Sequence, residues 1–233
     1  MFDRIAGRYD RVNTVMTAGI DALWRRLAVA QLRVRRGAEL LDLCCGTGAL
    51  AREAVDRIPG CRVTGVDFSR AMLAIAQRRK GSRNMRLVET DVLHLPFADG
   101  CFDGATMGFS MRNVVDIAGC LRETARVLRP GSRFVNLELS RPGNRLWRRL
   151  FFIYFYGLVP VIGRLIGGDA AAYRYLPQSL VNFPSVAALA ALFKANGFAD
   201  VACTPLMGGV ATLHVGTKAA PAGPRKMSAV VSA

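Results

Sequence analysis

The stretch Leu40–Gly48, read as LLDLCCGTG, constrains the fold more than any other part of the sequence. It predicts an apolar strand that runs into a glycine turn, and a helix that begins near Ala49. Glycines let the backbone approach a ligand closely, and the N-terminus of the following helix favours anionic groups. We therefore expect a nucleoside or a phosphate to bind at this turn.

The middle of the chain alternates apolar runs with helical patterns. Strands are predicted at Glu39–Cys44, Arg62–Phe68, Met85–Glu89, Phe102–Met107 and Arg133–Leu139. Helices are predicted at Ser69–Lys80, which opens on an N-cap serine, and at Asp116–Leu128, which Pro130-Gly131 stops. Because strands and helices alternate, a parallel sheet is expected.

The end of the chain predicts a different connection. A helical pattern at Val186–Asn196 closes at Gly197, and apolar runs follow at Phe198–Thr204 and Val210–Thr217. These two runs can pair as a hairpin. From Ala219 onward, Ala, Pro, Gly and Ser dominate, and this tail is expected to be disordered.

The glycine turn alone fits two classes of protein. Gly46, Gly48 and Ala51 also satisfy the dinucleotide fingerprint of dehydrogenases, so methyltransferases and dehydrogenases both stay open at this point. Asp67, at the end of the second strand, is placed to accept hydrogen bonds from both ribose hydroxyls, which either class uses. A helix-capping aspartate is the structural alternative.

The third strand end separates the two classes. Asp91-Val92 follows that strand, and a carboxylate there can accept a hydrogen bond from the exocyclic amine of an adenine. A dinucleotide enzyme has less use for a carboxylate at this position. A short-chain dehydrogenase would also need a tyrosine with a lysine four residues later, and this chain has none. The pattern therefore favours a methyltransferase.

Net charge and cysteine content give less information about the binding partners than the motifs do. The formal net charge is +15, and nearly all of the 32 basic residues are arginines, so an anionic partner is one interpretation and a solvated basic face the other. A nucleic-acid methyltransferase or binding module is the runner-up, although no base-reading motif supports it. The six cysteines lack zinc-site spacing with histidines, so no metal is expected.

Several longer motifs resemble the ubiquinone/menaquinone biosynthesis C-methyltransferases, a family with the class I S-adenosylmethionine-dependent fold. The resemblance runs from Phe2 to about Lys218. Its motifs are FDRIAGRYDRVNTVMTAGIDALWRR, LDLCCGTG, GVDFSRAML, MGFSMRNVVD, RVLRPG, YRYLPQS and GGVATLH. The first of them, the Arg112-Asn113-Val114 element and Tyr175-Leu176-x-x-Ser179 are particular to this family.

The resemblance implies a Rossmann-like α/β fold: a seven-stranded, mostly parallel sheet with a C-terminal antiparallel hairpin and helices on both faces. It implies S-adenosylmethionine as the methyl donor, no metal, and a prenylated quinol as the substrate. Strand ends and resemblance together predict these cofactor-binding residues: Asp42, Gly46, Thr47, Gly48, Asp67, Phe68, Asp91, Val92 and Gly108. Relatives often carry an acidic residue at Ala49 and a serine at Gly108, so Gly108 is left with backbone contacts only.

Methyl transfer to a ring carbon mainly requires that the carbon is positioned next to the methyl group and that a phenolate oxygen is stabilised. Arg112 follows the fourth strand and is the predicted catalytic residue, acting on the phenolate or on a water because arginine keeps its proton. A structural salt bridge is its alternative. Tyr9, Asp10, Asn13 and Asn113 are predicted substrate and lid residues, and the proton acceptor is not identified.

A long apolar run, Leu150–Gly168, approaches bilayer-spanning length, but Pro160 and Arg164 interrupt it, so a transmembrane helix is rejected. Arginines and Trp147 precede it, a composition suited to an anionic membrane surface. The alternative is a helical subdomain that packs on its own core.

Five segments are expected: an N-terminal helical lid at 1–37, the cofactor-binding α/β core at 38–140, a membrane-facing helical insertion at 141–184, a helix and hairpin at 185–218, and the tail at 219–233. No signal peptide opens the chain, so we expect a cytoplasmic protein on the inner face of the membrane. A plastid or mitochondrion is expected instead if a leader is missing. A homodimer is the expected assembly, and no nucleic-acid partner is expected.

Overall fold

The computed structural model describes residue 7 and residues 9–79, 84–163 and 179–220. Its centre is one sheet of seven strands in the order β3-β2-β1-β4-β5-β7-β6. The strands are β1 Glu39–Leu43, β2 Arg62–Asp67, β3 Met85–Glu89, β4 Phe102–Gly108, β5 Leu128–Leu139, β6 Phe198–Leu206 and β7 Ala211–Lys218. Strands β1 to β5 pair in parallel, whereas β7 runs antiparallel to β5 and to β6. The predicted fold class, including its final hairpin, is confirmed.

Helices cover both faces of the sheet. They are α1 Tyr9–Met16, α2 Ile20–Gln31, α3 Ala49–Arg57, α4 Arg70–Arg78, α5 Ile117–Val127, α6 Arg145–Ile153, α7 Val159–Ile162 and α8 Val186–Ala195. A π-helical turn, Tyr154–Leu158, joins α6 to α7. Side chains of α2, α3 and α6 form one buried cluster with the sheet, and those of α5 and α8 form the other.

Side-chain caps fix where the helices begin. The hydroxyl of Ser69 accepts a hydrogen bond from the Met72 N–H (3.2 Å), and Asp116 and Ser185 cap α5 and α8 in the same way. Each such bond satisfies a backbone donor that the first helical turn leaves without an intrahelical partner. The caps agree with the predicted helix starts.

Strand β5 begins earlier than predicted. The sequence predicts Arg133 as its first residue, but the strand starts at Leu128, which pairs with Phe102 of β4. The chain continues through Pro130 and through Gly131 at φ +80°, and the register shifts between Phe102 and Gly104. Local turn chemistry predicted a break here, and pairing with the edge of β4 extends the strand across it.

The helices that follow β5 contact the N-terminal helices. The hydroxyl of Tyr154 donates to the carbonyl of Met16 at the end of α1, and Phe151 and Phe155 pack into the buried cluster that holds α2. Among the residues that the structure describes, no helix is both long enough and apolar enough to cross a membrane. The end of the predicted 150–168 run, Tyr175-Leu176 and the tail beyond residue 220 lie outside the described residues.

Candidate functional site

A cavity of about 540 Å³ lies at the carboxyl ends of β1, β2 and β4. This edge of an open parallel sheet is where ligands bind. Most of the predicted site residues line the cavity: Asp10, Asn13, Asp42, Gly46, Thr47, Asp67, Phe68, Asp91, Val92, Gly108 and Asn113. Gly48 and Arg112 are not among its lining residues. Tyr9 begins α1, but its side chain lies outside the described part of the structure.

The turn after β1 depends on left-handed backbone at its glycines. Gly46 has φ +54°, and Gly48, the N-cap residue of α3, has φ +74°. A Cβ atom on Gly48 would meet the Cβ of Ala76 at 3.3 Å, so a side chain is disfavoured there by space as well as by backbone conformation. Gly48 therefore shapes the turn beside the cavity.

Asp67 ties the end of β2 to this turn. Its Oδ2 accepts a hydrogen bond from the Gly46 N–H (2.8 Å), and its Oδ1 accepts one from the Ser69 N–H (2.9 Å). The N-cap of α4 is Ser69 rather than Asp67. The carboxylate is thereby held on the cavity wall in a fixed orientation.

Asp42 lies beneath the turn. Its side chain accepts hydrogen bonds from the Ala51 N–H (3.1 Å) and from the Thr106 hydroxyl (2.7 Å). Burial raises the pKa of Asp42 to about 7. Burial also raises the pKa of the neighbouring Cys44 and Cys45 thiols well above their usual value. These two thiols are therefore protonated and unreactive at neutral pH.

The far side of the cavity combines one carboxylate with apolar surface. Asp91 follows β3, and its Oδ1 accepts a hydrogen bond from the Leu93 N–H (2.9 Å). Val92 beside it is buried, whereas the Phe68 ring is 64% exposed at the rim. A flat apolar group with a polar edge, such as a purine, matches these walls.

Helix α1 crosses the glycine turn. The Thr47 hydroxyl donates to Asp10 Oδ1 (2.8 Å), and Asp10 also forms an ion pair with Arg79. Arg52, one turn into α3, donates from Nη1 to the Thr47 carbonyl (2.7 Å). The predicted lid residue Asp10 therefore lies directly beside the predicted cofactor loop, and Asn13 of the same helix lines the cavity.

Arg112 occupies a different environment from the predicted one. Its side chain is 6% exposed and forms an ion pair with Glu138, which is 1% exposed. The guanidinium also donates to the Phe109 carbonyl (2.6 Å), and the Arg112 N–H donates to Glu138 (3.2 Å). This geometry is the structural salt bridge given as the alternative, so the catalytic role stays a prediction.

Neither histidine is among the residues that line the cavity. His214 is buried in β7, its Nε2 lies 3.2 Å from the Val186 carbonyl, and its ring stacks on Phe193. Burial lowers the pKa of His214, which keeps the ring neutral. Within the described ranges, no three His, Cys, Asp or Glu side chains converge as a metal site would need.

Sequence reasoning missed three charged cavity residues. Asp21 and Arg25 of α2 and Arg52 of α3 all line the cavity. Asp21 and Arg25 are four residues apart, which places them on one helix face, and that face otherwise carries Trp24 and Ala28. The sequence could have indicated the α2 pair, because its two charges are spaced i and i+4 within an otherwise apolar helix face. No comparable pattern in the sequence indicates that Arg52 reaches the cavity.

A mixed sheet of this order with its cavity at the parallel strand ends is the fold of the class I S-adenosylmethionine-dependent methyltransferases. A solved SAM-dependent methyltransferase of Aquifex aeolicus shares the fold, with a TM-score of 0.64 at 13% sequence identity. The match covers 90% of this chain and 97% of that one.

The chain is a methyltransferase that belongs to the ubiE/COQ5 methyltransferase family, which matches residues 1–218. A demethylmenaquinone methyltransferase of Thermus thermophilus is 43% identical over 220 residues, covering 94% of this chain and all of that protein. One of Staphylococcus aureus is 38% identical over 223 residues, covering 94% of this chain and 91% of that protein. The resemblance drawn from the motifs is confirmed.

Proposed function

We propose that this methyltransferase transfers a methyl group from S-adenosylmethionine to a ring carbon of a prenylated quinol, converting demethylmenaquinol to menaquinol. The names of both curated relatives support this substrate. One observation carries the proposal: a single cavity joins the strand-end carboxylates Asp67 and Asp91 to a wall built by α1, α2 and the loop after β4. The ubiquinone precursor and a plastidial naphthoquinol are the alternative ring substrates.

In this proposal the strand ends hold the cofactor. Asp67 would accept hydrogen bonds from the ribose hydroxyls, while Asp91 and Val92 would contact the adenine, with Phe68 at the rim of the same cavity. The turn at Gly46, Thr47 and Gly48 and the backbone of Gly108 bind the methionyl part, and buried Asp42 supports the turn. The hydrogen bonds that orient Asp67 support this arrangement, because a carboxylate fixed in advance loses little entropy on binding.

The remaining residues position the ring. A sulfonium leaves as a neutral thioether, so the main task is to hold a nucleophilic carbon in line with the methyl group. Asn13 and Asn113 line the wall that would face the ring, and the Asn113 Oδ1 is buried without a hydrogen-bond partner in the described structure. We propose that Arg112 acts mainly by holding the Phe109–Asn113 loop, since Glu138 engages its guanidinium.

The decisive assay is transfer of labelled methyl from S-adenosylmethionine to reduced demethylmenaquinone and to the demethylated benzoquinol. We expect methylated product from demethylmenaquinol, with a higher kcat/KM than for the benzoquinol. Equilibrium dialysis of the labelled cofactor is the control for a competent binding site. Cofactor binding without product from either quinol would contradict the proposed substrate.

We also propose that the exposed face of α6 binds an anionic membrane surface on the inner side of the membrane. Arg145, Arg148 and Arg149 are exposed. Leu146, Leu150 and Ile153 are 69%, 50% and 63% exposed. Apolar side chains that insert between headgroups and arginines that pair with phosphates suit such a surface. A prenylated substrate would be reached from there.

Neutralising this face is expected to weaken vesicle binding. The triple variant Arg145→Gln, Arg148→Gln, Arg149→Gln loses about 1 kcal/mol per arginine near an anionic surface, on the order of 100-fold in partitioning. Flotation with vesicles of phosphatidylglycerol and phosphatidylcholine measures it. The matched control neutralises Arg62, Arg70 and Arg122, whose side chains are 73%, 86% and 61% exposed. Equal losses in both triples would show a general charge effect and reject this face.

A further inference from the structure

Helix α2 presents a charged pair to the cavity that the proposed cofactor contacts do not use. Arg25 Nη1 lies 2.7 Å from Asp21 Oδ2. The Thr17 hydroxyl donates to Asp21 Oδ1 (3.0 Å), and both members of the pair line the cavity. The Asp21 side chain is 4% exposed and that of Arg25 is 21% exposed. The cavity wall therefore holds a carboxylate and a guanidinium in fixed register.

Stability alone does not require this pair. The same face of α2 carries Trp24 and Ala28, which are 3% and 0% exposed and belong to the core. Removing two charges from water costs several kcal/mol per ion, and apolar residues of similar volume often serve stability as well or better. A charged pair inside an apolar stripe, at the wall of a ligand cavity, points to a role with the ligand.

The pair lies on the β4 side of the cavity. The Trp24 and Phe109 rings have centroids 6.2 Å apart, which places this face of α2 against the loop that follows β4. Asp67 and Asp91 follow β2 and β3, which lie on the other side of β1 in the sheet. Asp67 and Asp91, which are proposed to hold the adenosine half of the cofactor, therefore lie across the central strand from the loop that α2 contacts.

Other cavity groups are less suited to accept a proton. Asp42 lies beneath the glycine turn, where the methionyl part of the proposed cofactor would separate it from a quinol, and burial keeps the Cys44 and Cys45 thiols protonated. Asp10, like Asp21, holds a hydroxyl and a guanidinium, but it does so at the glycine turn itself, through Thr47 and Arg79. Arg52 and Asp10 are the charged neighbours that α3 and α1 bring to this wall.

We infer that Asp21 is the general base for the quinol hydroxyl and that Arg25 stabilises the phenolate oxygen as it forms; this inference rests on the proposed function. The O–H proton passes to Asp21, and the ring carbon attacks the methyl group as the methyl–sulfur bond breaks. The sulfonium becomes a neutral thioether. The substituted ring carbon then loses its hydrogen as a proton and the ring oxygen is reprotonated, so that one proton is released overall.

The test uses Asp21→Asn, which preserves shape, with labelled methyl transfer to demethylmenaquinol. We expect kcat to fall by about 10²–10⁴-fold, the usual contribution of a positioned base. The dissociation constant for S-adenosylmethionine is expected to stay within about twofold of wild type, because the base acts on the quinol rather than on the cofactor. The residual rate of the variant is expected to rise about tenfold per pH unit, as hydroxide replaces the lost base.

Arg26→Gln is the matched control, because Arg26 is the next residue of α2 and its side chain is 56% exposed. Arg25→Gln is expected to lower kcat while cofactor affinity is retained. Should either the Asp21 or the Arg25 variant weaken cofactor binding and leave kcat intact, the pair serves the cofactor and the inference is wrong. Asp21→Glu, which keeps the carboxylate, is expected to recover part of the rate. This variant tests the base even if Asp21→Asn folds poorly. An inactive wild type would reject the proposed function instead, whereas an active wild type with a fully active Asp21→Asn rejects only the base.

Discussion

Replacing Arg112 with alanine is expected to lower the free energy of unfolding by about 3–5 kcal/mol, the cost of leaving a buried charge without its partner. Glu138, 1% exposed, would lose the guanidinium that neutralises it. The Phe109 carbonyl would lose its donor as well. Urea denaturation of purified protein, followed by far-UV circular dichroism, measures the change.

A paired substitution separates structure from chemistry. Arg112→Met combined with Glu138→Leu removes both charges, so it is expected to recover most of the lost stability. Arg70→Ala is the control: its pair with Glu89 is exposed, 86% and 46%, and its loss is expected to cost at most about 1 kcal/mol. If Arg112→Ala unfolds like wild type but makes no product, the catalytic prediction stands and the positioning role is wrong.

Phe193→Ala is expected to destabilise the protein by a comparable amount, about 3–5 kcal/mol. The ring is fully buried and stacks on Phe134 with centroids 5.3 Å apart and planes 8° apart. It also contacts Phe198 at the start of β6, with a centroid distance of 5.4 Å. The truncation opens a cavity between α8, β5 and the C-terminal hairpin, which the backbone cannot close.

The same denaturation experiment tests this truncation. Lys194→Ala, at the exposed next position of α8, is the matched control and is expected to change the unfolding free energy by less than about 0.5 kcal/mol. A loss below about 1 kcal/mol for Phe193→Ala would show that the hairpin is anchored elsewhere. The tight packing around Gly216 of β7 supports the larger loss, because a Cβ there would meet the Phe193 ring at 2.9 Å.

The sequence predicts the features that short segments determine. The run into Gly46 and Gly48 specifies a strand, a turn and a helix within a few residues, and strand β1 with α3 follows it. Asp67 and Asp91 are placed by the ends of apolar runs, because parallel strands bring their carboxyl ends to one edge. The hairpin of β6 and β7 is likewise local in sequence.

Partners from distant parts of the chain are what sequence reasoning cannot find. Glu138 is 26 residues from Arg112, and nothing in the intervening pattern indicates their ion pair. Asp10 is 37 residues from Thr47, and their hydrogen bond depends on how α1 packs over the turn. Such contacts follow from tertiary packing, and local periodicity carries no information about them.

Two thiols beside the glycine turn, those of half-buried Cys44 and buried Cys45, can report whether the cavity is occupied. Alkylating reagents attack thiolates, and burial keeps Cys44 and Cys45 protonated, so both thiols are expected to react slowly. Both line the cavity, so their rate of labelling also depends on whether the cavity is free, whereas Cys203 is exposed and serves as the reference. A ligand that binds at the turn is expected to slow the labelling of Cys44 and Cys45 and to leave that of Cys203 unchanged, so mass spectrometry of the alkylated protein measures how much of the cavity is occupied.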